Sequence, residues 1–150
     1  MADIKWKASG RATNPLTLMS TELNSLASGS GAIGAAIVNE TDHLDLYVDL
    51  ELVVAFVASP TADSVVEAYF ARQIDGTNYE DAATGGTPIG PKNGFVGSFV
   101  MRAVTPQRVI IPSVLVPPRD FKVFVINRAG QAFAASGNTV KGYFYKEQTV

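Results

Sequence analysis

The chain has 150 residues, 47% of them hydrophobic, enough for one domain with a sizeable core. It contains no cysteine and a single histidine, His43, which excludes disulfides and thiolate metal sites and leaves imidazole chemistry almost without material. Net charge is only -2, but residues 1–11 sum to +2, residues 12–91 to -10 and residues 92–150 to +6; the basic residues form no stripe, which argues against a nucleic-acid partner.

Residues 1–16 alternate weakly, with Ile4 and Trp6 set between Lys5 and Lys7, and then run into Ser9-Gly10 and Asn14-Pro15. The segment reads as an N-terminal arm, too short and too polar for a core of its own, ahead of a single domain over residues 17–150. Two readings of its tryptophan stand side by side. Either the arm is an edge strand that tucks Trp6 onto its own domain, or Ile4, Lys5, Trp6 and Lys7 form an interface with a neighbouring subunit, aromatic residues being common interface anchors. No apolar leader core is visible, and no run approaches the roughly 18 apolar residues of a membrane span, so a soluble protein with no membrane partner is expected.

Between Leu18 and Ala27, Leu23, Leu26 and Ala27 fall at helical spacing behind Ser20 and Thr21, which predicts one or two helical turns before Ser28-Gly29. Residues 32–39 read as a strand of small residues, approached closely on both faces. Asn39-Glu40-Thr41 matches a glycosylation acceptor, which reads as a chance match. The clearest signal is residues 44–52, where Leu44, Leu46, Val48, Leu50 and Leu52 alternate with Asp45, Tyr47, Asp49 and Glu51. Period two means a strand with one covered face and one wet face, half of a sandwich. Alternation is lost over residues 53–57, which predicts cover on both sides or a bulge.

Residues 65–74 form the next strand, with Val66, Ala68, Phe70 and Ile74 on one face. The glycine- and proline-rich stretch 75–94 is the one long irregular segment, and long ordered loops tend to be functional. Residues 95–102 and 108–116 are strands; Pro112 confines the second to an edge or a bulge. Phe121, Val123 and Val125 point inward from the following strand, Gln131 to Ala135 pairs back, and the last strand, 140–148, sets Tyr143 and Tyr145 opposite Val140, Gly142 and Phe144. About eight strands, turn signals roughly every ten residues and no long helix predict an all-β antiparallel sandwich, jelly-roll by preference. Leu46, Val48, Leu50, Phe70, Val123 and Val125 are the expected core.

Candidate chemistry is thin. Asp49 and Glu51 share one face of a strand, a nominal carboxylate pair that reads better as a solvated face. Asp75, Asn78, Glu80 and Asp81 hold oxygens for a hard cation, but not at EF-hand spacing. Tyr47, Tyr69, Tyr79, Tyr143 and Tyr145 raise a carbohydrate-stacking hypothesis. No serine stands in a nucleophile elbow near the sole histidine. The expectation is therefore no enzyme, no catalytic or metal residues and no cofactor.

Four stretches carry a family likeness over about two thirds of the chain: residues 44–51 (LDLYVDLE), 74–79 (IDGTNY), 114–123 (VLVPPRDFKV) and 125–130 (VINRAG). In these the chain resembles a family of small structural proteins of tailed bacteriophages. The resemblance implies a capsid decoration, or cement, protein: a jelly-roll homotrimer on the outer surface of the phage head. Its copies would bind one another and the major capsid protein, after synthesis in the host cytoplasm. It transfers no binding-site residues. The alternative is a tail- or fibre-associated carbohydrate-binding module that uses the tyrosines.

Overall fold

A computed structural model of the chain describes residues 3–41 and 43–149. It is a β-sandwich of two antiparallel sheets, with nine strands among the described residues. These are β1 (Ile4–Ala8), β2 (Leu16–Met19), β3 (Gly31–Ile37), β4 (Tyr47–Val54), β5 (Val65–Arg72), β6 (Phe95–Val100), β7 (Gln107–Leu115), β8 (Phe121–Arg128) and β9 (Thr139–Thr149). One sheet runs β1-β9-β4-β7, with β2 also paired to β9; the other runs β3-β8-β5-β6.

The core lies between the sheets. Val48, Leu50, Leu52 and Val54 of β4 and Val140 and Phe144 of β9 meet Val66, Ala68 and Phe70 of β5 and Phe121, Val123 and Val125 of β8, all fully buried or nearly so. Five of the six expected core residues are therefore core. Leu46 is 43% exposed, and Leu44 is exposed too. The strand begins only at Tyr47, because Leu44 adopts a left-handed φ of 46° and period two fails where the backbone leaves the β region. Asp45, expected on the wet face, is buried instead.

Asp45 is the centre of a clasp. Arg11 Nε donates to Asp45 Oδ2 at 2.8 Å, Ser9 Oγ donates to the same oxygen at 2.9 Å, and the guanidinium lies 4.3 Å from the centre of the Phe144 ring. Asn39 completes it, donating from Nδ2 to the carbonyls of Asp45 and Pro117 and accepting from Asp45 N–H. The Asn39 amide is thus buried and engaged, which closes it to glycosylation. Asn14 donates to Phe144 O and accepts from Phe144 N–H, both at 2.9 Å, so its side chain stands in for a strand residue between β1 and β2.

Several local expectations change. The helical stretch is a single 3-10 turn, Thr21–Leu23, preceded by β2. Alternation persists past Val53: Val54 and Phe56 are buried and Val57 is exposed, with neither double cover nor bulge. Ile74 is exposed because β5 ends at Arg72. Gln131 to Ala135 forms one bridge, Phe56 to Phe133, and no strand. The bulge falls in β7: opposite the step from Val48 to Leu50 the partner passes from Val114 to Ile111, and Pro112 and Ser113 fill the extra position on this edge strand.

The long segment 73–94 lies over the outer face of the four-stranded sheet. Phe124 and Ile126 point away from the central core yet are fully buried, because this segment covers them. Gly31 N–H donates to Thr84 O, Gly90 packs flat on the Tyr69 ring, and a Cβ at Gly31 would stand 2.7 Å from Phe124 and 3.0 Å from Pro88. Among the described residues nothing covers the outer face of the five-stranded sheet. The lopsided charge is matched within the chain: Arg108 pairs with Glu51, Arg128 with Glu67 and Arg119 with Glu40.

Leu50→Ala should destabilise the fold by about 2–5 kcal/mol through lost burial and an unfilled cavity, whereas Leu46→Ala should stay within about 0.5 kcal/mol. Urea unfolding of the two variants separates these outcomes.

Candidate functional site: the outer face of the five-stranded sheet

The outward residues of this face follow from register. Tyr47 of β4 stands opposite Tyr145 of β9 and Leu115 of β7; one pair along, Asp49 faces Tyr143; the next brings Glu51 opposite Lys141 and Ile110. Cross-strand pairing stacks Tyr47 on Tyr145, with centroids 5.6 Å apart and planes at 21°. Trp6, entering from β1, sets its ring edge-on to both, 5.4 Å from each, and Tyr143 lies 6.4 Å from Tyr145. The indole remains 65% exposed and Tyr143 43% exposed.

Asp49 is held in the middle of these rings. Ser113, at a left-handed φ of 55° in the β7 bulge, turns its main-chain N–H onto Asp49 Oδ1 at 2.8 Å. The Tyr145 hydroxyl lies 3.2 Å from the same oxygen, to which it donates, and 3.1 Å from Ser113 Oγ. Burial pushes the Tyr145 phenol above its ordinary pKa, the Ser113 hydrogen bond opposes this, and the Asp49 carboxylate adds to the rise. The phenol therefore stays neutral and remains a donor across the physiological range. A recess of about 420 Å³ opens beside the group, lined by Trp6, Asp49, Ser113, Tyr143 and Tyr145 together with Lys7 and Ala8.

Three of the five tyrosines named from the sequence come together here; the other two do not. Tyr69 lies on the opposite sheet, packed on Phe95 and Phe124, and Tyr79 sits under Lys122 in the long segment. Asp49 and Glu51 share this outer face, with Glu51 paired to Arg108 at 3.2 Å. The possible cation set is taken up by a turn. Asp75 accepts from Thr77 N–H, Asn78 N–H and Asn78 Nδ2, which lowers its carboxyl to about 2, while Glu80 accepts from Arg72 N–H. Among the described residues no three of His, Asp and Glu are grouped to hold a metal ion.

Of the interface residues named from the sequence, Trp6 joins this aromatic group, and Ile4, Lys5 and Lys7 lie on β1 with their side chains in solvent. Ser113 was not legible as a site residue; Pro112 signalled the bulge that carries it.

No family model matches the chain, and no curated relative matches it. Similar solved structures include a glycoside hydrolase family 43 arabinoxylan arabinofuranohydrolase from Bacillus subtilis in complex with cellotetraose. Its identity is 11% and its TM-score 0.34, over 84% of this chain and 20% of that one. Another is a xylanase from Cellvibrio japonicus in complex with xylopentaose, at 14% identity and TM-score 0.35, over 97% of this chain and 26% of that one. The chain thus spans about a fifth to a quarter of these proteins. Overlays this loose carry no argument about activity.

Alkali should act on the raised phenol. The stability that neutral Tyr145 supplies is complete below the unfolded value of about 10 and is lost as pH climbs from there through the folded value. Burial raises Tyr69 and Tyr79 as well, so ultraviolet titration should show several late-ionising tyrosines, one fewer in Tyr145→Phe.

Proposed function

We propose that this chain is a structural protein of a tailed bacteriophage virion, a decoration protein on the outer surface of the head. It acts by adding interface free energy across capsid subunits and catalyses no reaction. The observation that carries the reading is a protruding ribbon. Beyond Tyr145, β9 has left β4 and pairs with β1 alone, in the register Ile4 to Thr149, Trp6 to Glu147 and Lys7 to Lys146. Every residue of β1 is exposed, and so are the last described residues of β9. A two-stranded ribbon is marginal in water by itself and gains from being covered.

Among the described residues the ribbon's outer edge pairs with no other strand, which suits it to adding a strand from another subunit. Lys5, Lys7 and Lys146 fall on one face by register, so the strand it accepts is an acidic one, and two identical basic edges repel. Ile4, Lys5, Trp6 and Lys7 are the contact residues in this reading, the partners being further copies in a homotrimer and the major capsid protein. The strand order β2-β9-β4-β7 over β3-β8-β5-β6, with β1 also on β9, supports the jelly-roll reading, in keeping with the resemblance at residues 44–51, 74–79, 114–123 and 125–130.

Light scattering of the intact chain should give a trimer. Deleting residues 1–8 leaves the Arg11–Asp45 clasp in place and should weaken trimer formation or attachment to undecorated heads at least about tenfold, as loss of an anchor does. Lys5→Glu combined with Lys7→Glu, which keeps the β1 main chain, should give the same loss. Variants that fold, trimerise and attach as the intact chain does would overturn the reading.

A further inference from the structure

In the recess on the outer face of the five-stranded sheet, rings, a carboxylate and hydroxyls converge on open space. We propose that it binds a neutral saccharide of at least two linked sugar rings, with Tyr143 as the stacking platform and Asp49 as the hydroxyl acceptor.

The ligand class follows from what the recess offers. A sugar ring has an apolar C–H face and a rim of hydroxyls, so its site needs an exposed aromatic ring with hydrogen-bonding groups at the side. Trp6 and Tyr143 are the exposed rings, and Tyr143 is the one that borders both this recess and its neighbour. Asp49 Oδ1 is taken by Ser113 N–H and Tyr145, which fixes the carboxylate's orientation, while Oδ2 makes no hydrogen bond with the described residues. A fixed carboxylate with one open oxygen is a strong acceptor for a hydroxyl. The Ser113 and Tyr145 hydroxyls stand beside it.

Charge selects a neutral ligand. Lys7 borders the recess through β1 but its side chain lies on the other face of the ribbon with Lys5 and Lys146, while beside Asp49 Lys141 faces Glu51, whose charge Arg108 also meets. Asp49 repels an anion, and the Ser113 N–H and Tyr145 hydroxyl already meet its charge, which weakens the pull on an organic cation. Size selects more than one ring. A second recess of about 190 Å³, bounded by Pro15, Glu51, Ile110 and Lys141, shares Asp49 and Tyr143 with the first. Tyr143 stands at the junction, where two consecutive sugar rings meet.

Trp6 is the only tryptophan in the chain and lines the larger recess, so its fluorescence reports occupancy directly. Cellopentaose, maltopentaose, mannopentaose and penta-N-acetylchitopentaose, each raised to about 10 mM, are the probes, with calorimetry on the same four. At least one should give saturable binding, the corresponding monosaccharide should bind about tenfold more weakly, and Tyr143→Ala should weaken the pentamer about tenfold with an unchanged melting temperature. Flat responses in both measurements with all four sugars overturn the proposal; so does tighter binding of tetramethylammonium, or binding that Tyr143→Ala leaves unchanged. The proposal does not rest on assembly: Tyr143→Ala should trimerise as the intact chain does, and the ribbon variants read the other claim.

Discussion

The buried ion pair between Arg11 and Asp45 is the interaction on which the rest of the arrangement depends. Two charges out of water are costly unless each finds further partners. Here Ser9 shares the carboxylate oxygen, and Arg11 Nη2 also donates to the Val38 carbonyl and Asn39 Oδ1. The pair ties the first sixteen residues to the turn that precedes β4, and the Phe144 ring beneath the guanidinium ties both to β9. Removing one partner would strand a buried charge, at a cost of about 3–5 kcal/mol. With Arg11 fixed and Ser9 N–H bonded to Phe144 O, β1 has one register on β9, and that register brings Trp6 onto Tyr47 and Tyr145.

The second constraint is the unequal cover of the two sheets. Segment 73–94 shields Phe124 and Ile126, which makes β8 a strand buried on both faces. Its length serves packing, and two of its glycines serve close approach: Gly90 lies flat on Tyr69 and Gly94 lies against the Phe70 carbonyl, where any side chain would collide. Among the described residues the five-stranded sheet has no such layer. Its outer face keeps aromatic rings in solvent, with polar groups held at fixed positions by a bulge and by cross-strand pairs. A rigid sheet is a better platform for recognition than a loop, because its side chains are placed by the ladder.

Much of the sandwich was legible because period two is a local property that burial enforces. Residues 47–54 and 140–145 alternate in the chain as they do in the fold. Legibility ended where a long-range contact took over. Leu44 and Leu46 continue the sequence pattern but not the strand, since Arg11, distant in the chain, and Asn39, across the turn, hold Asp45 inside. Val57 and Ile74 are apolar yet exposed, each just beyond the end of a strand. The aromatic face was half legible: β9 places Tyr143 and Tyr145 side by side, but nothing local says that Tyr47 and Trp6 join them and that Tyr69 does not. Ser113 acquires its place from a bulge that Pro112 signals without saying which neighbour's N–H is turned outward.

In the proposed role, the uncovered face would serve recognition and the basic ribbon assembly. Quantitative mass spectrometry of purified virions carrying this chain, scaled to the major capsid protein, tests the proposed role most directly. A lattice-bound decoration protein is present in the hundreds per particle, following the repeated symmetry of the shell. A count of that order is the predicted result; a handful of copies, or none in particles that package and infect normally, would contradict it.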